Sequence, residues 1–478
     1  MKPSEYQKAI YDHIENDTRN LLVQAVAGSG KTTIIVEAAK LIPSDVDTLF
    51  VAFNKHIADE LGRRLPSHVK AQTLHSLGNG IVRKNCRATL KQNKVEMCLK
   101  FDVLDVEDYR DFRQCRSFII RMISLLKAHI IVKPTDEDIH QLAAKFDIEI
   151  PDHYYPFELL MQTYEKCLEN TTKMDYDDML FLPVYHDWQF PQYDIVFVDE
   201  AQDLNILQME MLQRLNARII AVGDRYQAIY GFRGADAEAM DTMKKRFTCE
   251  ELPLSICYRC GYEIVAEAKK IVAQIQPAPD AKSGEVLNIS KGDYEGLVSE
   301  QDWVLCRTTA PLVSECLKFI RNGRRAMIKG RDIGKQLKTL IKRVMWEWKD
   351  DPSLPNLLTA LSIYEGSIFD KFLGDEHESK RQAVQDQCDT IRAIVAYVDS
   401  YERVDIQIDI LFADKEKGVV FCTIHRSKGM ETDSVFILRP DLIPHPAAKI
   451  DWQRDQEMNL KYVAITRAKQ HLYFVNGK

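Results

Sequence analysis

A short apolar run, Leu21-Leu22-Val23, leads into Ala25-Val26-Ala27-Gly28-Ser29-Gly30-Lys31-Thr32-Thr33, and Ile34-Ile35-Val36-Glu37-Ala38-Ala39 follows with helical character. A buried strand, a glycine-containing loop and a helix start in that order commit the chain to an α/β unit with a phosphate-binding turn. Backbone amides around Gly28 and Gly30 can wrap a polyphosphate at the helix N-terminus, where the helix dipole favours negative charge. Lys31 can reach the terminal phosphates, and the Thr32 hydroxyl can ligate magnesium. Ala25 stands where the general pattern has its first glycine. An ordinary glycine turn would account for Gly28 and Gly30, but not for the Lys-Thr pair that follows. The expected ligand is therefore Mg-ATP or a similar nucleotide, held by the segment Ala25–Thr33.

Composition narrows the class. A chain of 478 residues with 45% hydrophobic and 28% charged residues can bury several compact cores. No uninterrupted apolar stretch is long enough to span a membrane. The polar start, Met1-Lys2-Pro3-Ser4-Glu5, lacks the core of a secretory signal, so a cytoplasmic location is expected. Eleven cysteines are scattered, and Cys257-Tyr258-Arg259-Cys260 has no second Cys/His pair at zinc-site spacing, which favours reduced thiols over a metal site. The net charge of −7 argues against a surface coated in basic residues. A narrow track of Lys and Arg can still bind nucleic-acid phosphates on an acidic molecule.

Two stretches alternate buried-strand runs with helical patterns. The first holds Leu21–Gln24, Thr48–Phe53, Ile195–Val198 and Ile219–Val222; the second holds Trp303–Cys306, Val419–Cys422, Val435–Leu438 and Leu472–Val475. Runs this continuously apolar suit parallel sheets covered on both faces. Charged, helix-rich interruptions separate the early from the later strands in each. The expected architecture is two α/β domains in tandem: 1–80 with 188–255, interrupted by 81–187, and 256–330 with 412–478, interrupted by 331–411.

A phosphate loop needs an acidic partner, and Asp194-Ile195-Val196-Phe197-Val198-Asp199-Glu200-Ala201-Gln202-Asp203 provides it. An apolar strand ending in Asp-Glu puts Asp199 at the carboxyl end of the sheet, where such sheets bind their ligands. Asp199 can then position magnesium through water, and Glu200 can take a proton from the attacking water.

That acidic run resembles the second motif of the UvrD/PcrA/Rep-like DNA helicases of superfamily 1, and further blocks agree in family order. Ala221–Ala235 resembles the third motif, Thr423-Ile424-His425-Arg426-Ser427-Lys428-Gly429-Met430-Glu431 the fifth, and Tyr462-Val463-Ala464-Ile465-Thr466-Arg467-Ala468-Lys469 the sixth. The resemblance spans nearly the whole chain. It implies two tandem RecA-like domains, each with a helical insertion, and ATP held in the cleft between them. It also implies that Gln7 reads adenine, that Gln227 senses the terminal phosphate, and that Arg259 and Arg467 contact the phosphates. Tyr258 would stack on adenine, and Glu431 would lie near the ribose or phosphates. Planar, permanently charged guanidiniums suit charge spreading over a transferred phosphoryl group.

Single-stranded nucleic acid calls for aromatic platforms and polar backbone contacts. The candidates are Phe53, Asn54, Lys55, Thr73, His75, Tyr230 and Phe232 in the first half, with Arg307, Thr423 and His425 in the second. Phe232 occupies a place that many family members fill with Trp. Aromatics at strand ends are often core, so Phe53 has a buried alternative.

The expected activity is an ATP-dependent DNA helicase that translocates on single-stranded DNA and unwinds single-strand/duplex junctions, with 3′-to-5′ polarity implied by the family. The rival readings are a single-strand translocase that strips proteins with little unwinding, and an ATP-driven binding switch or recombination regulator. DNA is favoured over RNA by the resemblance alone, and no residue pattern specifies a protein partner or an oligomer. Only about 160 residues separate Arg259 from Thr423, so the second insertion is expected to be reduced. With eleven residues after Arg467, no fused nuclease domain is expected.

Overall fold

The computed structural model describes residues 3–99, 109–146, 148, 150–151, 156–229, 238–371, 378–413, 417–446, 448 and 451–476. Two compact units emerge. The first comprises residues 1–25 and 30–255, and the second comprises Ile256–Lys478 together with Val26–Ser29.

The first unit is built on a six-stranded sheet in the order Val69–Gln72, Thr48–Val51, Ile195–Val198, Arg218–Gly223, Leu21–Ala25, Glu250–Leu254. Every neighbouring pair is parallel, with Leu22 opposite Ala221 and Val51 opposite Val198. Alternate side chains of each strand enter different cores, as the pleat requires. Leu21, Val23, Phe50, Phe197 and Val222 face one core, shared with Ile10 and Ile34 of the flanking helices. Leu22, Leu49, Val196, Val198 and Ala221 face the other, shared with the helices of the 74–185 stretch. Burial on both faces is why these strands read as unbroken apolar runs.

That helical stretch carries a fully enclosed charge cluster. Lys94 Nζ lies 2.7 Å from Asp178, and Lys127 Nζ lies 2.9 Å from Asp175 and 2.8 Å from Asp178. Asp175 also caps the helix Tyr176–Tyr185, exchanging hydrogen bonds with Asp178. Burial alone would lower the Lys127 pKa, but the two aspartates outweigh it and hold the ammonium charged.

The second unit repeats the plan with a six-stranded sheet in the order Glu285–Ser290, Ala468–Asn476, Thr432–Leu438, Trp303–Cys306, Val419–Thr423, Ala326–Ile328, again parallel throughout. Val304, Cys306, Phe421, Phe436 and Leu438 share a core with Leu337, Leu361, Ile391 and Ile408 of the helices between Arg331 and Leu411.

All eight apolar runs read from the sequence are strands. The run from Thr48 stops at Val51, which leaves Phe53 beyond the strand and 48% exposed. Within the two six-stranded sheets, the four strands that the apolar pattern did not reveal, Val69–Gln72, Glu250–Leu254, Glu285–Ser290 and Ala326–Ile328, are the edges. Among the described residues, no helix is long and apolar enough to cross a membrane.

Candidate functional site

In the first unit, the strand Leu21–Ala25 ends next to the turn that opens the helix Lys31–Ala39. Gly30 caps that helix at φ 82°, a left-handed conformation that a side chain would resist. Ala25 is the last strand residue, paired with Leu254 and fully buried. Its methyl group is core, which explains why the position accepts a side chain.

The helix start points two side chains at the end of the strand Ile195–Val198. Thr32 Oγ1 donates to Asp199 Oδ2 at 2.8 Å, and Lys31 Nζ lies 3.1 Å from Glu200 Oε2. Thr32 and Asp199 are 167 residues apart in sequence. Glu200 adopts φ 54°, an uncommon conformation for a side-chain-bearing residue and a local cost of about 1–3 kcal/mol. The Glu200 amide donates to Asp199 Oδ1 at 2.9 Å, so the strained turn is held by its neighbour.

Electrostatically the cluster is over-supplied with carboxylates. Burial and the Glu200 charge push the Asp199 carboxyl up to about 6. Burial raises Asp224 as well. Burial alone would lower Lys31, but Glu200, Asp224 and Asp199 together outweigh it and hold its pKa above the ordinary lysine value. Gln227 lies in the same cluster: its Nε2 donates to Asp224 Oδ2 at 2.7 Å and its amide to Asp224 O at 2.8 Å.

Other first-unit candidates are engaged locally. Gln7 forms a reciprocal cap with Ser4 at the start of the helix Glu5–Asn16. Asn54 and Thr73 are N-caps of the helices Lys55–Arg64 and Leu74–Asn85, accepting from Ile57 N and Ser76 N. Thr73 follows directly on the strand Val69–Gln72, and Asn54 lies three residues past the end of the neighbouring strand Thr48–Val51. Thr33 and Lys55 are exposed, and burial lowers the His75 pKa. Tyr230 and Phe232 lie outside the described residues.

In the second unit, the Tyr258 amide donates to Gly28 O at 2.9 Å and the Ala27 amide to the Tyr462 hydroxyl at 2.8 Å. Ser29 Oγ closes the turn on Val26 O at 2.8 Å. Arg259 pairs with Glu431 and donates to Thr466 O at 3.2 Å. Arg467 is buried, and its guanidinium donates to Val463 O and Met430 O, each at 2.9 Å. Burial would raise Glu431, but Arg259 and Lys469, the latter at 3.1 Å, hold it below the ordinary glutamate value. Arg307 is held in a two-pronged ion pair with Glu457, its Nε 2.8 Å from Oε1 and its Nη2 2.7 Å from the same oxygen. Thr423 ends its strand, and His425 is half-buried on the short helix that follows.

Residues that the sequence reading quoted within motifs but gave no role complete these arrangements, notably Gln202, Asp224, Tyr462 and Lys469. Gln202 and Asp224 lie inside motifs the sequence displayed. Nothing in their residue type announces that they would hydrogen-bond to one another.

One other acid-histidine group gathers among the described residues, at His13, Asp17 and Glu250. His13 Nδ1 lies 3.3 Å from Arg218 Nη2, which can only donate. Its Nε2 faces the two carboxylates, 3.8 Å from Asp17 Oδ2 and 3.6 Å from Glu250 Oε2.

Comparison with known proteins agrees with this geometry. Residues 5–248 match the UvrD/REP helicase N-terminal domain, and residues 377–477 match the UvrD-like helicase C-terminal domain. The chain is similar to F-box DNA helicase protein 1 of Schizosaccharomyces pombe, at 25% identity over 98% of this chain and 56% of that protein. It is likewise 25% identical to F-box DNA helicase 1 of Gallus gallus, over 99% of this chain and 49% of that one. Against the ATP-dependent DNA helicase PcrA of Staphylococcus epidermidis it is 22% identical, over 96% of this chain and 81% of the relative. The chain thus spans about half the length of the two F-box relatives. With parallel sheets of the expected kind, a paired phosphate loop and acidic strand end, and a family match over more than half its length, the chain belongs to the UvrD/REP helicase family.

Proposed function

We propose that this chain is an ATP-dependent DNA helicase that translocates on single-stranded DNA, with 3′-to-5′ polarity, and opens duplex at junctions. The observation that carries the reading is the convergence of Lys31 and Thr32 on Glu200 and Asp199. A lysine, a hydroxyl and two carboxylates in this arrangement are the working parts of phosphoryl transfer to water.

Lys31 holds the terminal phosphates, exchanging its contact with Glu200 for them. Glu200, released from the ammonium, takes the proton of the attacking water. Gln227 senses the terminal phosphate, and Arg259 and Arg467 stabilise charge on the transferred group. Gln7 and Tyr258 read the base, and Glu431 orients Arg259 through their ion pair. Thr32 and Asp199 fit a magnesium ion: their oxygens lie 2.8 Å apart, and Asp199 is a buried carboxylate beside Glu200. Bound there, magnesium would supply charge neutralisation for the phosphates.

The strand-tracking surface comprises Phe53, Asn54, Lys55, Thr73, His75, Tyr230 and Phe232, with Arg307, Thr423 and His425. The exposure of Phe53 supports a stacking role over a core role. The helical stretches 81–187 and 331–411 are read as insertions in the two RecA-like domains.

A strand-displacement assay with 3′- and 5′-tailed duplexes tests the proposal. Unwinding of the 3′-tailed substrate with ATP is expected. Failure to open either duplex, with DNA-stimulated ATP hydrolysis intact, would sink the helicase reading and leave a translocase.

A further inference from the structure

Gln202 is almost fully buried, at 1% exposure, between two strand ends of the first unit. Its carboxamide is used at both ends. Nε2 donates to Glu200 Oε2, and Oε1 accepts from the Asp224 backbone amide at 3.0 Å. The orientation is unambiguous, because a carboxylate can only accept and a backbone amide can only donate. Asp224 in turn grips the short turn that follows, accepting from Tyr226 N at 3.1 Å and from Gln227 Nε2 at 2.7 Å.

The backbone leaves little freedom around this bridge. A Cβ on Gly223 would lie 2.7 Å from Gln202 Oε1 and 2.6 Å from Met240 Sδ. The absence of a side chain there is what lets the carboxamide reach Asp224. Glu200, for its part, sits in a left-handed conformation that needs outside support. Its Oε2 meets two donors, Lys31 and Gln202. If a phosphate takes Lys31, Gln202 remains to hold the carboxylate.

We propose that Gln202 is a positioning residue that sets the Glu200 carboxylate and the Gln227 side chain in one register, through the backbone of Asp224. The inference rests on the reading of Glu200 as the base for ATP hydrolysis. Gln202 touches neither nucleotide nor water in this scheme. It makes the aim of the base depend on the turn that carries the phosphate sensor.

The test uses the full chain with Gln202→Glu and Gln202→Ala, measuring kcat and KM for ATP at saturating single-stranded DNA. Gln202→Glu keeps shape and an acceptor for Asp224 but loses the donor to Glu200; Gln202→Ala loses both. Each should lower kcat by about 10- to 100-fold, the usual scale for a partner that orients a reacting group. KM should stay within about threefold, as expected when an interaction matters in the transition state and not in binding. Combined with Gln227→Ala, the loss should be smaller than the product of the single losses, the signature of coupled residues. A kcat within about twofold of wild type for folded Gln202→Glu, or losses that multiply fully with Gln227→Ala, would overturn the proposal. Glu200→Gln separates the two readings. Substantial hydrolysis by that variant would overturn the role of Glu200 itself, whereas its inactivity beside normal Gln202 variants would overturn only the relay.

Discussion

In the first unit the charged groups around the phosphate loop are mostly carboxylates, in the second the charged candidates are mostly guanidiniums, and the protein manages the two charges by different means. Asp199, Glu200 and Asp224 crowd around Lys31, and burial leaves Asp199 and Asp224 with raised pKa values. Arg467, by contrast, is satisfied by the carbonyls of Val463 and Met430. Carbonyls satisfy N–H groups without cancelling charge. Arg259 carries a carboxylate, Glu431, which is shared with Lys469, and Arg307 carries another, Glu457. The first unit thus crowds carboxylates around one lysine, while the second unit presents guanidiniums.

The largest effect should come from removing the cation amid the carboxylates. Lys31→Ala is expected to lower ATP hydrolysis by about 10³-fold or more, on the scale of lost phosphate-charge stabilisation. Binding of single-stranded DNA should remain measurable by anisotropy. Turnover within about tenfold of wild type would break the comparison, since Lys31 would then be a structural counter-ion.

The buried cluster of Lys94, Lys127, Asp175 and Asp178 sharpens the same contrast, because there the charges balance inside the fold. Asp178→Ala would strand the buried Lys94 ammonium and leave Lys127 with Asp175 alone. It should destabilise the first unit by about 3–5 kcal/mol in urea unfolding. A cost below about 1 kcal/mol would mean that water reaches the cluster.

The smallest effect is expected at Phe53. Because the ring is exposed, Phe53→Ala should change stability by no more than about 0.5 kcal/mol. Affinity for single-stranded DNA should fall by about 1–3 kcal/mol, the range for a lost stacking platform. Loss of stability with unchanged affinity would return Phe53 to the core.

How much was legible follows from where each element sits. Central strands such as Ile195–Val198 and Trp303–Cys306 are buried on both faces, and burial writes an apolar run into the sequence. The edge strands Val69–Gln72, Glu250–Leu254 and Glu285–Ser290 are only partly buried and carry mixed residues, so they were missed. Ala326–Ile328 is buried but only three residues long, too short for a periodic signal. In the candidate site, residues that touch phosphate or water belong to a small chemical vocabulary, and Lys31, Thr32, Asp199 and Glu200 were readable for that reason. Gln202 and Tyr462 act through other protein atoms, and glutamine and tyrosine serve many such purposes.

By itself the sequence determined the phosphate loop, the acidic strand end, the two parallel α/β frameworks and the family. Each rests on local chemistry or on burial strong enough to leave a pattern. The tertiary structure alone decided that Thr32 meets Asp199 and Lys31 meets Glu200, that Arg467 lies buried on carbonyls, and that Gln202 ties Glu200 to Asp224. Most of these pairings join distant parts of the chain, fixed by strand order and register, and a hydrogen bond between distant residues leaves no mark on either residue's neighbours in sequence.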